Sequence, residues 1–179
     1  DGIRAERDVL EPLRRWADML IDTSELSANE LQQFVRQNFE TQEAGELTVT
    51  VSSFGFARGM PPLADLVFDM RFLDNPHWHD DLRDLTGLDE PVAEFLRQTD
   101  GFEENFVRIR DLLFDLLPRY QAQGKSYVHI AFGCTGGRHR SVYTAERIAH
   151  ALCENGFKPT TTHRNLASRA ADAVELQTA

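Results

Sequence analysis

The stretch from Ser126 to Leu152, SYVHIAFGCTGGRHRSVYTAERIAHAL, constrains the fold of this chain more than any other. An apolar run from Tyr127 to Phe132 stops at Gly133, and a helical pattern begins at Ser141. The order strand, glycine-rich turn, helix brings backbone N–H groups and the positive end of a helix dipole into one small concavity. Such a concavity favours a bound anion, so this stretch predicts a phosphate-binding site.

The residues of this loop offer side-chain contacts as well as backbone donors. Arginine suits bidentate binding of phosphate, and a hydroxyl stands at the start of the helix. The candidate phosphate-binding residues are Cys134, Thr135, Gly136, Gly137, Arg138, His139, Arg140 and Ser141. The loop lacks a Gly-Lys-Ser/Thr sequence and therefore does not predict a nucleoside triphosphate. The alternative is a tight strand-to-helix connection whose glycines serve only backbone geometry.

Cys134 and Arg140 also have the spacing of a cysteine-dependent phosphatase, with five residues between them and Ser141 following. In that chemistry a thiolate at a helix N-terminus attacks phosphorus while the arginine stabilises the equatorial oxygens. Gly133 stands where such phosphatases usually carry histidine, and the sequence does not locate a general acid. A buried, inert cysteine is the simpler alternative.

Composition limits the class of protein. The chain has 179 residues, 41% of them hydrophobic with 12 Phe, enough for a packed core. Its two cysteines do not make a disulfide framework, which favours a reducing, cytoplasmic compartment. No signal peptide and no membrane-spanning apolar run is found, so no membrane partner is expected. A net charge of −10 opposes bulk attraction to nucleic acid, so any anion site must be local.

The hydrophobic patterns predict an α/β fold, a layered domain with a central sheet and helices packed on it. The predicted strands are Leu47–Val51, Leu63–Leu73, Tyr127–Gly133 and Pro159–His163. The predicted helices run from Asp89 to about Gln98, from Gly101 to Gln123, and from Ser141 to a stop at Gly156. Pro118 is expected to kink or end the second of these.

The amino-terminal residues are predicted to form a helix-strand-helix unit over residues 1–40. Its second helix starts with a capping box of Ser27 and Glu30. Residues 41–46 are polar and contain Gly45, which predicts a linker. Residues 47–166 form the main domain and residues 167–179 a tail. Because the chain opens on Asp1 and not on Met, we expect a piece of a longer protein.

Further candidate residues lie outside the glycine-rich loop. Ser53, Phe54 and Gly55 follow a predicted strand and form a candidate wall of the site, with a simple turn as the alternative. Asp65 and Asp69 share a face of the next strand with Arg71. Asp69 either pairs with Arg71 or orients an amine or hydroxyl of a ligand at the strand's carboxyl end.

The segment Asn75-Pro76-His77-Trp78-His79 sets a turn followed by an aromatic residue and two histidines. The alternative for His77 is a solvated loop histidine. No fixed ligand spacing supports zinc, and no metal site is predicted.

The motifs VSSFGFARG, ADLVFDMRFLDNPHW, LTGLDEPVAEFL and GCTGGRHRS with VYTAERIA resemble the RapZ-type RNase adapter proteins, also described as RapZ/YvcJ nucleotide-binding proteins. The similarity covers most of Leu47 to Leu166 in the family's order. It implies that residues 1–40 are the tail of an upstream P-loop kinase-like domain binding ATP or GTP. It also implies that residues 47–166 are the family's C-terminal domain, with no cofactor of its own.

The resemblance implies a function as well. The C-terminal domain of the enteric representative binds glucosamine-6-phosphate and small RNA and assists an RNase. His77 matches the family's PHW histidine, a candidate phosphate or sugar contact. Self-association into a homo-oligomer is expected through the amino-terminal segment, with an ordinary peripheral subdomain as the alternative for that segment. The tail from Ala170 to Ala179 lacks the Lys and Arg of the enteric protein, which puts RNA binding in doubt.

Three hypotheses follow. The leading one is a non-enzymatic, ligand-sensing regulatory domain that binds a phosphorylated amino sugar and is linked to small-RNA and RNase regulation. The others are a cysteine-dependent phosphatase using Cys134 and Arg140, and an RNA-binding adapter module without a small ligand.

Overall fold

The computed structural model describes residues 47–61 and 63–166, and nearer the amino terminus only positions 9, 23, 24, 26–28, 30, 31 and 35. The chain divides into two compact units, Asp1–Gln42 and Glu43–Ala179. In the first, the Ser27 amide donates to Glu30 Oε2 at 2.8 Å and the Glu30 amide donates to Ser27 Oγ at 3.3 Å. This reciprocal pair confirms the predicted capping box. The rest of the predicted helix-strand-helix and the tail 167–179 lie outside the described residues.

A parallel β-sheet is the centre of the second unit. Its strands are β1 (Thr48–Gly55), β2 (Leu66–Asp69), β3 (Tyr127–Cys134) and β4 (Thr160–His163), in the spatial order β2-β3-β1-β4. Every neighbouring pair is parallel. The carboxyl ends of all four strands therefore meet at one edge of the sheet, the edge at which α/β proteins place their ligands.

Helices surround this sheet. They are α1 (Asp80–Arg83), α2 (Glu90–Gln98), α3 (Phe102–Ala122) and α4 (Arg140–Glu154), with 3₁₀ turns at Phe56–Arg58 and Pro76–Trp78. The buried core joins both layers: Val49, Val51, Leu96, Leu113, Leu117, Val128, Ile130, Phe132, Ile148 and Leu152. The predicted α/β fold is confirmed.

The boundaries of two strands differ from the predicted ones. β1 continues to Gly55, so the candidate wall Ser53, Phe54 and Gly55 ends a strand and does not form a loop. The predicted strand Leu63–Leu73 is reduced to Leu66–Asp69. It stops because Asp69 Oδ1 accepts the Arg71 amide at 2.9 Å, which turns the chain.

Pro118 does not end helix α3, which continues to Ala122. A proline removes only its own N–H donor, and the later donors of the last turn remain paired. The Gln123 amide, for example, donates to the Arg119 carbonyl at 3.1 Å. The short helix α1 was not predicted, since four residues carry no periodic signal.

Candidate functional site

The glycine-rich loop lies between the end of β3 and the start of α4, packed against the end of β1. A Cβ atom added to Gly55 would lie 2.6 Å from the Gly136 carbonyl carbon, closer than atoms approach. Gly137 has φ of +77°, a conformation that favours glycine. The Ala57 amide donates to the Thr135 carbonyl at 3.3 Å. Because these glycines have no side chains, the backbone at the end of β1 contacts the backbone of the loop. This contact fixes the conformation of the loop.

Cys134 is the last residue of β3, and its side chain is buried inside the loop. Its Sγ atom lies 3.1 Å from Ser141 Oγ and accepts the Gly137 amide at 3.3 Å. A backbone N–H donor and a hydroxyl beside the sulfur are polar contacts of the kind found around a nucleophilic cysteine. The same contacts also satisfy a neutral, structural cysteine.

Arg140 is the first residue of α4 and is 4% exposed. Its Nη1 donates to the Leu73 carbonyl at 2.9 Å, and its Nη2 donates to Thr135 Oγ1 at 3.2 Å. Among the described residues, no carboxylate forms an ion pair with this guanidinium, and Nε has no hydrogen-bond acceptor. The charge of Asp69 acts on Arg140 only at longer range, and a buried cation without an ion pair in direct contact is costly to a fold. The arrangement therefore suits an incoming anion.

The Arg138 guanidinium donates to backbone carbonyls, and the His139 ring is buried. Arg138 Nε donates to the Leu85 carbonyl at 2.9 Å, and its Nη2 donates to the Asp84 carbonyl. His139 is 1% exposed, and burial, reinforced by the nearby Arg138 charge, lowers its pKa to about 4. A neutral imidazole brings no positive charge to an anion at neutral pH. Of the three basic residues in the loop, Arg140 is thus the one placed to meet an anion as a cation.

A cleft of about 440 Å³ opens beside Arg140. Its walls come from the loop and from the segment after β2: Arg71, Phe72, Leu73, Asp74, Asn75, Trp78, Thr135 and Arg140. Phe72 and Trp78 are each 54% exposed. The cleft therefore combines a buried cation, a hydroxyl and two aromatic surfaces, which is enough for a small phosphorylated ligand.

His77 lies beneath this region and not at its surface. It is 1% exposed, and its ring packs edge-on against Trp78 with centroids 5.6 Å apart. Arg83 Nε donates to its carbonyl at 3.2 Å. The alternative of a solvated loop histidine is wrong, because the turn capped by Asn75 folds the ring inward.

Asp69 and Arg71 form the ion pair that was one of the two predicted alternatives. Arg71 Nη2 lies 2.6 Å from Asp69 Oδ2, and the guanidinium stacks 4.1 Å from the Phe56 ring centre. Hydrogen bonding to Arg71 lowers the pKa of Asp69. Asp65 is also occupied: it binds Lys125 Nζ at 2.7 Å.

Ser53 belongs to a hydrogen-bonded chain that sequence reasoning missed. Its buried Oγ lies 2.8 Å from His163 Nδ1, and His163 Nε2 lies 2.9 Å from Glu146 Oε1. Nearby, the Gly55 amide donates to Asn165 Oδ1 at 2.9 Å. The parallel register pairs Ser53 with His163, but a sequence does not reveal which strands are neighbours. These hydrogen bonds connect β4 and α4 to the end of β1, next to the glycine-rich loop.

Two further findings concern what the described residues do not contain. Across residues 47–61 and 63–166, no group of three His, Cys, Asp or Glu side chains is arranged to hold a metal ion. None of the helices described in that part of the chain is both long and apolar enough to cross a membrane.

Comparison with known proteins matches the two parts of the chain separately. Residues 47–167 match the family model of the RapZ C-terminal domain, and residues 1–43 match that of the RapZ-like N-terminal domain. The chain is 68% identical to a protein named nucleotide-binding protein from Erythrobacter litoralis, over 98% of this chain and 58% of the relative.

Two other relatives extend this comparison. A nucleotide-binding protein from Novosphingobium aromaticivorans is 66% identical over 97% of this chain and 57% of its own length. The RNase adapter protein RapZ from Serratia proteamaculans is 46% identical over 94% of this chain and 59% of its own length. The chain therefore spans less than two thirds of the relatives it matches.

Proposed function

This chain belongs to the RapZ family, and we propose that residues 47–166 form a ligand-sensing regulatory domain that binds a phosphorylated amino sugar. Glucosamine-6-phosphate is the specific ligand we propose. The domain would bind and report the ligand without breaking a bond in it. We assign nucleotide binding, of ATP or GTP, to the RapZ-like N-terminal domain, whose family model residues 1–43 match.

The observation that carries this proposal is the buried cation of Arg140. Its guanidinium is fixed by the Leu73 carbonyl and by Thr135, lines an open cleft, and has no carboxylate partner among the described residues. A phosphate group would supply a negative charge in direct contact with this guanidinium. The adjacent start of helix α4 adds the positive end of its dipole, which favours the same group.

Calorimetric titration of the wild-type chain and of Arg140→Ala with glucosamine-6-phosphate tests the proposal. A charge-assisted contact left unmade costs roughly 1.5–3 kcal/mol, so affinity should fall by about 10- to 150-fold. Arg108→Ala is a matched control, because Arg108 pairs with Glu104 on an exposed helix face. Equal affinity of the wild type and the Arg140 variant would refute the assignment of the phosphate site.

We also propose that ligand occupancy is transmitted to RNA or to an RNase partner, as the name of the Serratia relative suggests for that protein. The net charge of −10 argues that any RNA contact is local. RNA affinity measured with and without the sugar phosphate tests this link. A change in affinity on adding ligand supports transmission, and identical affinities contradict it.

A cysteine-dependent phosphatase is a second candidate because Cys134 Sγ accepts an amide N–H and contacts a hydroxyl. Against it, the sulfur is buried, and a Cβ at Gly133 would lie 2.5 Å from the Phe54 ring, so no histidine fits there. Release of inorganic phosphate from a sugar phosphate, lost in Cys134→Ser, would establish the phosphatase. Recovery of intact ligand after long incubation would exclude it.

A further inference from the structure

We infer that the groove between helices α2 and α4 is a docking surface for a protein partner, and that it takes an apolar side chain flanked by Lys or Arg. The groove has a volume of about 390 Å³, and the residues that line it all differ from those of the cleft at Arg140. Its lining residues are Gly87, Leu88, Glu90, Ala93, Arg97, Tyr143, Glu146 and Arg147. The inference therefore does not depend on what the cleft binds.

Leu88 is the apolar side chain that the groove presents to a partner. It lines the groove and is 54% exposed, whereas Ala93 and Tyr143 in the same lining are buried. Covering a half-exposed leucine removes apolar surface from water, which stabilises a complex. The groove thus offers apolar surface that a partner's side chain can cover.

The loop that carries Leu88 is held in place by hydrogen bonds on both sides. The Gly87 amide donates to the Arg138 carbonyl at 2.9 Å. The Thr86 amide donates to Asp89 Oδ2 at 2.7 Å, just before α2 begins. A surface that is already ordered loses little conformational entropy when a partner binds, which favours its use for docking.

The two arginines of the groove are already paired with carboxylates of this chain. Arg97 forms ion pairs with Glu90 and with Glu94, the second at 2.6 Å. Arg147 forms an ion pair with Glu103. Neither guanidinium therefore calls for an anion from a partner.

Carboxylates outnumber cations around the groove. The lining residues and their ion-pair partners include four glutamates against two arginines, a net charge of −2: Glu90, Glu94, Glu103 and Glu146 against Arg97 and Arg147. Glu146 Oε1 also lies 2.9 Å from His163 Nε2, which adds one positive charge only when that ring is protonated. This balance repels nucleic acid and complements Lys and Arg side chains of a protein segment.

Selection from a randomised peptide library displayed on phage tests the inference. The full chain is the target, and Leu88→Ser is the counter-target, a change at a half-exposed position that should leave the fold intact. The recovered peptides should be rich in Lys and Arg beside a large apolar residue. Leu88→Ser should weaken such a peptide by more than about fivefold, as expected for a residue that anchors an interface.

Glu90→Gln tests the contribution of charge. It should weaken a recovered peptide by up to about fivefold, and the effect should shrink as salt is added. Two variants on α3 are matched controls: Leu112→Ser changes another exposed leucine, and Glu104→Gln changes a glutamate paired with Arg108. Both positions lie outside the groove lining, and both variants should bind the peptide as the wild type does.

Three results would overturn the inference. If the α3 variants weaken binding as much as the groove variants do, the peptides are attracted only by an acidic surface. If no recovered peptide depends on Leu88, or if those that do carry no excess of Lys and Arg, the proposed partner is wrong. If a randomised RNA pool selected in the same way yields RNA that depends on Leu88, the groove binds nucleic acid instead. Phosphate binding at Arg140 is measured separately, so failure of either proposal leaves the other standing.

Discussion

Gly55 and Gly136 lie in direct backbone contact, so that the end of strand β1 and the glycine-rich loop leave no room for a side chain between them. A Cβ at Gly55 would come within 2.6 Å of the Gly136 carbonyl carbon and 2.7 Å of its oxygen. These are backbone atoms, which cannot rotate away as the end of a side chain can. The shape of the loop therefore depends on a residue 81 positions earlier in the chain.

Gly55→Ala should lower both the free energy of unfolding and the affinity for phosphate ligands, because the added methyl group displaces the loop. The expected loss of stability is about 1–3 kcal/mol, the usual range for overpacking. Denaturant unfolding and calorimetric titration measure the two effects. Gly156→Ala is the comparison: its φ of +89° is unfavourable for alanine but its surroundings are open. That variant should lose stability and keep its ligand affinity.

Arg138→Ala should act mainly through stability. Because Arg138 donates to the carbonyls of Leu85 and Asp84, its removal releases the contact between two loops. We expect a loss of roughly 1–3 kcal/mol in the free energy of unfolding, with a smaller loss of ligand affinity than in Arg140→Ala. A loss of affinity equal to that of Arg140→Ala, in a normally stable protein, would instead make Arg138 a direct phosphate contact.

His139 should make the domain less stable in mild acid. Its pKa is about 4 when folded against an ordinary 6.5, so between these values the unfolded chain binds the extra proton. The free energy of unfolding should therefore fall as pH drops from about 6.5 to 4, by up to about 3 kcal/mol from this group.

The contribution of His139 is measured by comparing the pH profiles of variants with that of the wild type, because carboxylates titrate in the same pH range in all of them. Denaturant unfolding at several pH values should give a flatter profile for His139→Asn than for the wild type. His150→Asn, which changes an exposed histidine on α4, should retain the wild-type slope. Parallel profiles for all three proteins would contradict the assignment.

Ser53 and His163 should be energetically coupled. Their hydrogen bond is partly buried, so removing one partner leaves the other unsatisfied. A double-mutant cycle of Ser53→Ala and His163→Ala should give a coupling energy of about 0.5–3 kcal/mol. The cycle of Ser52→Ala with His163→Ala should give a smaller value, because Ser52 Oγ contacts His129 instead, at 2.7 Å. Equal coupling in both cycles would mean that the hydrogen bond contributes nothing specific.

Features determined by residues close together in the chain could be predicted from the sequence. Periodicity and glycine placement located β3, the loop and α4 to within a residue of Cys134 and Arg140. The ion pair of Asp69 and Arg71 spans two residues and was one of two predicted alternatives. Local geometry governs both features, so a sequence pattern can express them.

Features determined by contacts between residues far apart in the chain could not be predicted from local sequence patterns. Arg138 was expected to hold phosphate, but its guanidinium meets the Leu85 carbonyl, 53 positions away in the chain. The order of the strands decides that Ser53 lies beside His163, and strand order was not derivable.

The contact between Arg140 and the Leu73 carbonyl has a thermodynamic consequence. It joins the first turn of α4 to a segment 67 positions earlier, so the cleft exists only in the completely assembled domain. A ligand that binds there binds the native state alone, and mass action then stabilises that state. At a concentration 100 times its dissociation constant, such a ligand adds about 2.7 kcal/mol to the free energy of unfolding. A ligand at such a concentration would in this way raise the denaturant concentration at which the domain unfolds.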